Sequence, residues 1–249
     1  MSSVREWDAA SYDALPLPHV AWGQRVLDRM ELAGLGGDEL VLDAGCGTGR
    51  DAAALLERWP GVRVVGIDGS QQMLDQARER LGDRATLVRA DLTRPPLPVP
   101  EPVDAVMSVA AFHWIQDHAG LFANLRAAMR PGAALTTDCG GRGNVAGVNR
   151  ALARVTGEEH DGWEFAGEDD TRARLLDAGF EVRSVVLRAD PFRCEDADVL
   201  ERYLATVVLG SKLDALPEAD RAGFVRDVRL ALDEPVVDYV RLEIDAVAR

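Results

Sequence analysis

Lysine is nearly missing from this 249-residue chain: Lys212 is the only one, and arginine carries the rest of the positive charge. Positive charge is itself scarce, with 28 Lys and Arg against 42 Asp and Glu and a formal net charge of −14. Phosphate backbones are held by clustered Lys and Arg, so this balance argues against nucleic acid as a partner. Cysteine is sparse too. Cys46, Cys139 and Cys194 are odd in number and widely spaced, which excludes a disulfide framework, matches no metal-ligand spacing and leaves free thiols in a reducing compartment as the expectation. No run of about 18 apolar residues occurs, and Arg5, Glu6 and Asp8 stand where a secretory leader would need an apolar stretch. We expect a soluble cytoplasmic chain with no membrane partner and no metal, either monomeric or homodimeric.

What is present is an ordinary globular complement, 47% apolar, enough for one large domain or a core with a cap. From residue 38 onward, short β-rich runs alternate with helical patterns, the signature of a parallel sheet wrapped by helices. Predicted strands are Glu39 to Asp43, Val62 to Asp68, Ala85 to Ala90, Val103 to Val109 and Ala133 to Asp138, the last entered through a Pro131-Gly132 turn. Ser70 is placed to cap a helix whose Met73, Leu74, Ala77 and Leu81 share a face and which Gly82 stops. Five prolines between Pro95 and Pro102 exclude a regular helix before the fourth strand. Beyond strand five we expect helices ending at Gly157 and Gly179, a strand from Glu181 to Arg188 and a final strand from Val236 to Ile244. The predicted class is α/β: a Rossmann-like, doubly wound sheet of seven strands, mostly parallel with an antiparallel last strand, plus a helical cap. Residues 1–35 would form an N-terminal helical segment, 36–191 with 233–249 the core, and 192–232 a helical insertion.

The chemistry is concentrated in Val41-Leu-Asp-Ala-Gly-Cys-Gly-Thr-Gly-Arg50. A strand that runs into closely spaced glycines and then a helix lets a ligand approach backbone N–H groups. Asp68 ends the second strand 19 residues past Gly49, where a carboxylate can accept from both hydroxyls of a ribose. The spacing is G-x-G-x-G, and Arg50 occupies the place of the third glycine of the dinucleotide fingerprint. Asp43 before the loop suits a cationic amino group better than a pyrophosphate, which favours S-adenosylmethionine among nucleoside ligands.

With Val-Val-Gly-Ile-Asp68-Gly-Ser and Ala90-Asp91-Leu92 at the next two strand ends, the chain resembles the class I S-adenosylmethionine-dependent methyltransferases. The resemblance runs over roughly residues 36 to 190 and takes in the last strand. It implies a glycine loop under the methionine part of the cofactor, Asp68 on the ribose and Asp91 facing the adenine amino group. The cofactor contacts it implies are Asp43, Gly45, Cys46, Gly47 and Gly49, then Asp68, Gly69 and Met73, then Asp91, Leu92 and Ser108. Ala111-Phe-His-Trp-Ile-Gln-Asp-His118, with Arg130-Pro-Gly beyond it, is similar to the trans-aconitate methyltransferase group of small-molecule enzymes.

Methyl transfer needs an acceptor oriented in line and shielded from water; an ionised carboxylate needs no base, whereas a hydroxyl or carbon is helped by one. His113, beyond the end of strand four, is the candidate catalytic residue, with His118 expected at the surface. Arg142, in the glycine-rich segment after strand five, could clamp an acidic acceptor. Tyr12, His19, Trp22, Trp114 and Tyr203 complete the candidate substrate contacts, since segments before the core and in the insertion commonly cover the substrate in the family that the chain resembles. The leading expectation is O-methylation of a small carboxylate or hydroxyl. Two alternatives stay open. An NAD(P)-dependent oxidoreductase is disfavoured by Arg50 and by the lack of a Tyr/Lys pair, and a non-catalytic cofactor-binding protein would carry the same motifs.

Overall fold

The computed structural model describes residues 19–30, 37–158 and 165–249. Strands β1 (Leu40–Ala44), β2 (Arg63–Asp68), β3 (Ala85–Arg89), β4 (Val103–Val109), β5 (Met129–Gly140), β6 (Phe180–Ala189) and β9 (Val240–Ala248) form one sheet in the order β3-β2-β1-β4-β5-β9-β6. β9 runs antiparallel to both β5 and β6, while the pairs among β1 to β5 are parallel. The seven-stranded, Rossmann-like sheet with its antiparallel last strand is therefore present.

Period-2 alternation divides the strands between two apolar layers. Leu40, Leu42 and Ala44 point into one cluster, with Leu121, Phe122 and Leu125 of helix α4 (His118–Ala128). Val41 and Val64 point the other way, against α1 (His19–Arg29), α2 (Arg50–Arg58) and α3 (Gln71–Leu81). The Ser70 hydroxyl caps α3 by accepting from Met73 N–H at 3.3 Å. The proline-rich stretch contains no helix, and Leu97 folds back into the core.

Three expectations change. β5 starts at Met129, ahead of Pro131-Gly132, and the proline and glycine loop out where its register with β4 shifts between Val103 and Ala105. The expected strand Val236 to Ile244 is two: β8 (Val236–Val237) pairs with β7 (Phe192–Arg193), and β9 joins the main sheet. Asp238 causes the break, since its carboxylate accepts from Gly147 N–H at 2.7 Å and its carbonyl from Val145 N–H at 3.0 Å, satisfying donors at the start of α5 (Ala146–Thr156). The helical stripe from Val199 also does not run on regularly, because α7 (Ala197–Tyr203) passes into a π turn at Leu204–Val208.

α6 (Glu168–Asp177) packs beside α4, whereas α7, α8 (Gly210–Asp214) and α9 (Glu218–Ala231) gather with α5 in a third apolar cluster that also takes in Trp22 of α1. α1 is tied to the sheet by charge. Arg25 pairs with Asp190 at 2.7 Å, Arg29 with Glu243 and Asp245 at 3.3 Å each, and Trp22 Nε1 donates to Asp190 at 2.6 Å.

Phe122 is fully buried and sits edge-on to Phe112, their ring centroids 6.1 Å apart. Phe122→Ala should lower the unfolding free energy by about 3–5 kcal/mol, the usual cost of such a cavity; urea denaturation gives the value, and a loss under about 1 kcal/mol would contradict this packing.

Candidate active site

β1 ends in the backbone turn that builds the site. Gly45 has φ +82°, and a Cβ there would lie 2.4 Å from the Ala111 Cβ, so both conformation and space demand glycine. The loop is pinned from two sides: Arg80 donates to the carbonyl and hydroxyl of Thr48, and Asp68 accepts from Gly47 N–H at 2.9 Å and Ser70 N–H at 2.8 Å. These bonds hold the Asp68 carboxylate at the carboxyl end of β2, on the wall of a cavity of about 660 Å³. Gly45, Cys46, Gly47, Gly69, Met73, Asp91 and Leu92 share that wall. Asp91 is organised locally, accepting from Thr93 N–H at 2.9 Å and from the Thr93 hydroxyl at 2.7 Å.

Three of the expected cofactor residues do not reach the cavity. Gly49 serves as N-cap of α2, and Ser108 donates its hydroxyl to the Ala44 carbonyl at 2.6 Å, tying β4 to β1. Asp43 lies behind the loop, buried, with Oδ2 lacking a hydrogen-bond partner among the described residues. Burial, reinforced by Asp51 and Asp68, pushes its carboxyl well above the usual range. A carboxylate in that position profits from positive charge across the loop. These residues fit S-adenosylmethionine: Asp68 for ribose hydroxyls, a loop without side-chain bulk at Gly45 and Gly47, and an unpartnered acid beneath it.

The other end of the cavity is aromatic. His19 and Trp22 reach it from α1, His113 and Trp114 from the turn after β4, Phe165 from the segment before α6, and Tyr239 from the approach to β9. α1 can lie this close to α2 because position 23 is glycine; a Cβ there would fall 1.9 Å from Asp51 Oδ1. Ala110 and Val145 border the cavity with φ of 55° and 50°, a conformation costing about 1–3 kcal/mol each. Their N–H groups bond the Asp138 and Asp238 carbonyls at 2.7 and 3.0 Å, which holds them there.

Two expected substrate residues stand elsewhere. Arg142 is exposed, paired with Asp170 at 2.5 Å, and does not line the cavity. Tyr203 is fully buried in the cap, its hydroxyl 2.6 Å from that of Tyr239; helical packing took it inward, and Tyr239 is the one that faces the cavity. Tyr12 lies outside the described residues. His118, expected at the surface, is buried: its Nε2 donates to the Phe112 carbonyl at 2.9 Å, and Arg174 donates to its Nδ1 at 3.2 Å.

His113 is held more tightly than an unattached base. Its Nδ1 accepts from Gly140 N–H at 3.2 Å, so the neutral ring carries its proton on Nε2 and offers a donor. Burial, helped by the positive charge of Arg241, keeps its pKa well below 6.5. His19 is lowered likewise, by burial first and then Arg241. Asp51 moves in the opposite sense, up to about 6, mainly through burial. Sequence reasoning also missed Arg241, which lines the cavity from β9 while almost wholly buried. A signal existed. Arg241, Glu243 and Asp245 alternate with the core residues Leu242, Ile244 and Ala246, and charges on one face of an interior strand require partners.

Comparison with known proteins agrees with this geometry. Residues 41–132 match the methyltransferase domain family. The malonyl-[acyl-carrier protein] O-methyltransferase of Xylella fastidiosa is 31% identical over 162 residues, 61% of this chain, and the chain spans about half of that relative's length, 52%. The trans-aconitate 2-methyltransferase of Paracidovorax citrulli is 28% identical over 92% of this chain and 90% of its own. Among solved structures, the YcgJ protein of Bacillus subtilis superposes with a TM-score of 0.63 at 14% identity, over 93% of this chain and 99% of that one.

A buried neutral histidine stabilises the fold above its unfolded pKa of about 6.5, and that stability is lost as pH falls, because the unfolded chain takes up a proton that the folded one refuses. His113→Asn should therefore reduce the drop in unfolding free energy between about pH 7.5 and about pH 5.5. Asp51 opposes the trend in both proteins and cancels in the difference. A drop as large as the parent's would show that His113 is not held neutral.

Proposed function

We propose that the chain, similar to the class I S-adenosylmethionine-dependent methyltransferases, is one of them and methylates an oxygen of a small-molecule acceptor, a carboxylate in the first instance. One observation carries the reading: a single cavity joins a nucleoside-binding end, at the glycine loop and Asp68, to an aromatic end whose His113 is a hydrogen-bond donor. S-adenosylmethionine, held by the glycine loop and Asp68, would supply a methyl group on a sulfonium leaving group for an acceptor oxygen. The chain's own work is positioning and exclusion of water. Trp22, Trp114, Phe165 and Tyr239 wall off the acceptor, and His113 Nε2–H orients one acceptor oxygen. In this reading α1 and the 192–232 segment form the cover of the acceptor end.

A carboxylate is ionised at neutral pH and needs no base, which agrees with a histidine whose Nε2 is already protonated. Both relatives described above are named for carboxylate-bearing acceptors. The net charge of −14 supports a small molecule over nucleic acid. A hydroxyl acceptor is the second reading, favoured by Asp51, which borders the cavity and titrates near 6, where a general base is effective.

S-adenosylmethionine and S-adenosylhomocysteine should raise the melting temperature by linkage, whereas NAD should not. Asp68→Ala should weaken S-adenosylhomocysteine binding about ten- to hundredfold by isothermal titration, the loss of two hydrogen bonds to a charged group; unchanged affinity would mean that the ribose is held elsewhere. Turnover is read as S-adenosylhomocysteine released with a supplied acceptor, and no release across a broad acid and alcohol panel would leave a binding protein. Asp51→Asn separates the two acceptor classes. A carboxylate should be methylated at a nearly parental rate, while a hydroxyl acceptor should lose at least about tenfold, chiefly above about pH 6 where Asp51 is ionised.

A further inference from the structure

The hydrogen-bond donor and the buried cation of the acceptor end stand together. Gly140 N–H donates to His113 Nδ1, and Gly140 is the residue directly opposite Arg241 where β5 pairs with β9, so the imidazole and the arginine share one corner of the cavity. Arg241 gives that corner its field and almost no surface. It is 1% exposed, its Nε and Nη2 lie 2.7 and 2.6 Å from Asp138 Oδ1, and the Trp22 ring covers one face of the guanidinium, 3.6 Å from Cζ. The field still reaches His19 and His113 and helps keep both neutral. One anion, accepting from His113 Nε2–H, is favoured there.

A second anion finds no comparable place. Among the described residues that line the cavity, the other charged side chains are the carboxylates Asp51, Asp68, Asp91 and Asp117, which repel an anion, and Arg50, whose charge acts on Asp51 beside it at the start of α2. What surrounds His113 is apolar instead. Its ring centroid lies 5.0 Å from that of Trp114 and 6.0 Å from that of Phe165, on which it stacks, and both of these neighbours are only half-buried. Val207 and Val208 add aliphatic surface from the π turn of the cap.

We infer that the acceptor is a monocarboxylic acid with an apolar body, aromatic or aliphatic, its one carboxylate beside His113 and Arg241 and its hydrocarbon against Trp114, Phe165, Val207 and Val208. The inference rests on the carboxylate reading above and narrows it. Rings and branched side chains take apolar surface out of water without needing any group on the ligand to match them. A second carboxylate among them would give up its hydration and gain no partner in return. Selection therefore works by rejection, and a stranded charge discriminates more strongly than an added or missing methylene.

The test uses the full chain loaded with S-adenosylhomocysteine and three sets of probes: phenylacetate, cinnamate and octanoate; acetate; and malonate, succinate and trans-aconitate. Isothermal titration should show at least one acid of the first set binding about tenfold or more tighter than acetate and than every acid of the third, with the negative heat-capacity change that marks buried apolar surface. Trp114 stands outside the three apolar clusters, so Trp114→Ala should fold and should cut that advantage about tenfold; Phe165→Ala, at the neighbouring ring, should act in the same direction. In turnover with methyl donor, kcat/KM should favour the same acids, and Trp114→Ala should raise their KM more than it lowers kcat. A di- or tricarboxylate that binds as tightly as the best apolar acid, no gain of the apolar acids over acetate, an advantage untouched by both variants, or no acid binding at all would overturn the inference. Apolar acids that bind as expected and yet release no S-adenosylhomocysteine in turnover would keep it and defeat methyl transfer to a carboxylate. Methylation of succinate or trans-aconitate in preference to the apolar acids would do the reverse.

Discussion

The buried pair of Arg241 and Asp138 is the interaction on which the working end of this molecule depends. It joins the last strand to the fifth, and through the Trp22 ring on the guanidinium it fixes α1 against the sheet. An ion pair without solvent is a costly way to hold two strands together, because each charge gives up its hydration and recovers it only through good geometry. Apolar residues of similar volume would serve a purely structural purpose at least as well. What such residues could not supply is a fixed positive charge bordering the cavity.

Around that pair the electrostatics divide the site. Asp68 is held at one end by two backbone N–H groups, and Arg241 at the other by one carboxylate oxygen. In and around the site, burial moves four groups in the direction that removes charge: His19 and His113 downward, Asp43 and Asp51 upward. A cavity with few permanent charges lets those that remain act strongly, since little polarisable solvent separates them from a ligand. The chain's large net charge has no bearing on this arrangement, which depends on individually placed groups.

The glycine-loop end of the cavity was legible in the sequence where its parts are local, whereas Asp43, Gly49 and Ser108 stand outside the cavity wall. The turn after β1 needs glycine where φ is positive, and Asp68 and Asp91 each follow directly from a strand end, so motif and structure are one object. The acceptor end was only partly legible. Trp22, His19 and Trp114, expected as acceptor contacts, do line the cavity, yet Tyr203 and Arg142 had equal claims and turned elsewhere, one into a helical cluster and one to an exposed ion pair. Nothing in a helical stripe says which of two tyrosines will face the cavity when their hydroxyls meet 2.6 Å apart. The tautomer of His113 was also hidden, because it is set by an N–H 27 residues away in the next strand.

By itself, then, the sequence determined what period and turn chemistry can determine: alternating strands and helices, a Rossmann-like sheet with a reversed last strand, and a glycine-rich turn opening a helix. Local backbone preference and apolar repeat act over a few residues and need no knowledge of partners. Tertiary structure decided which side chains meet. It broke the final strand at Asp238 to cap a helix 91 residues earlier, buried His118 under Arg174, and paired Arg241 with Asp138 across 103 residues. Those contacts arise from register and layer packing, which bring distant positions together only once the whole sheet has formed.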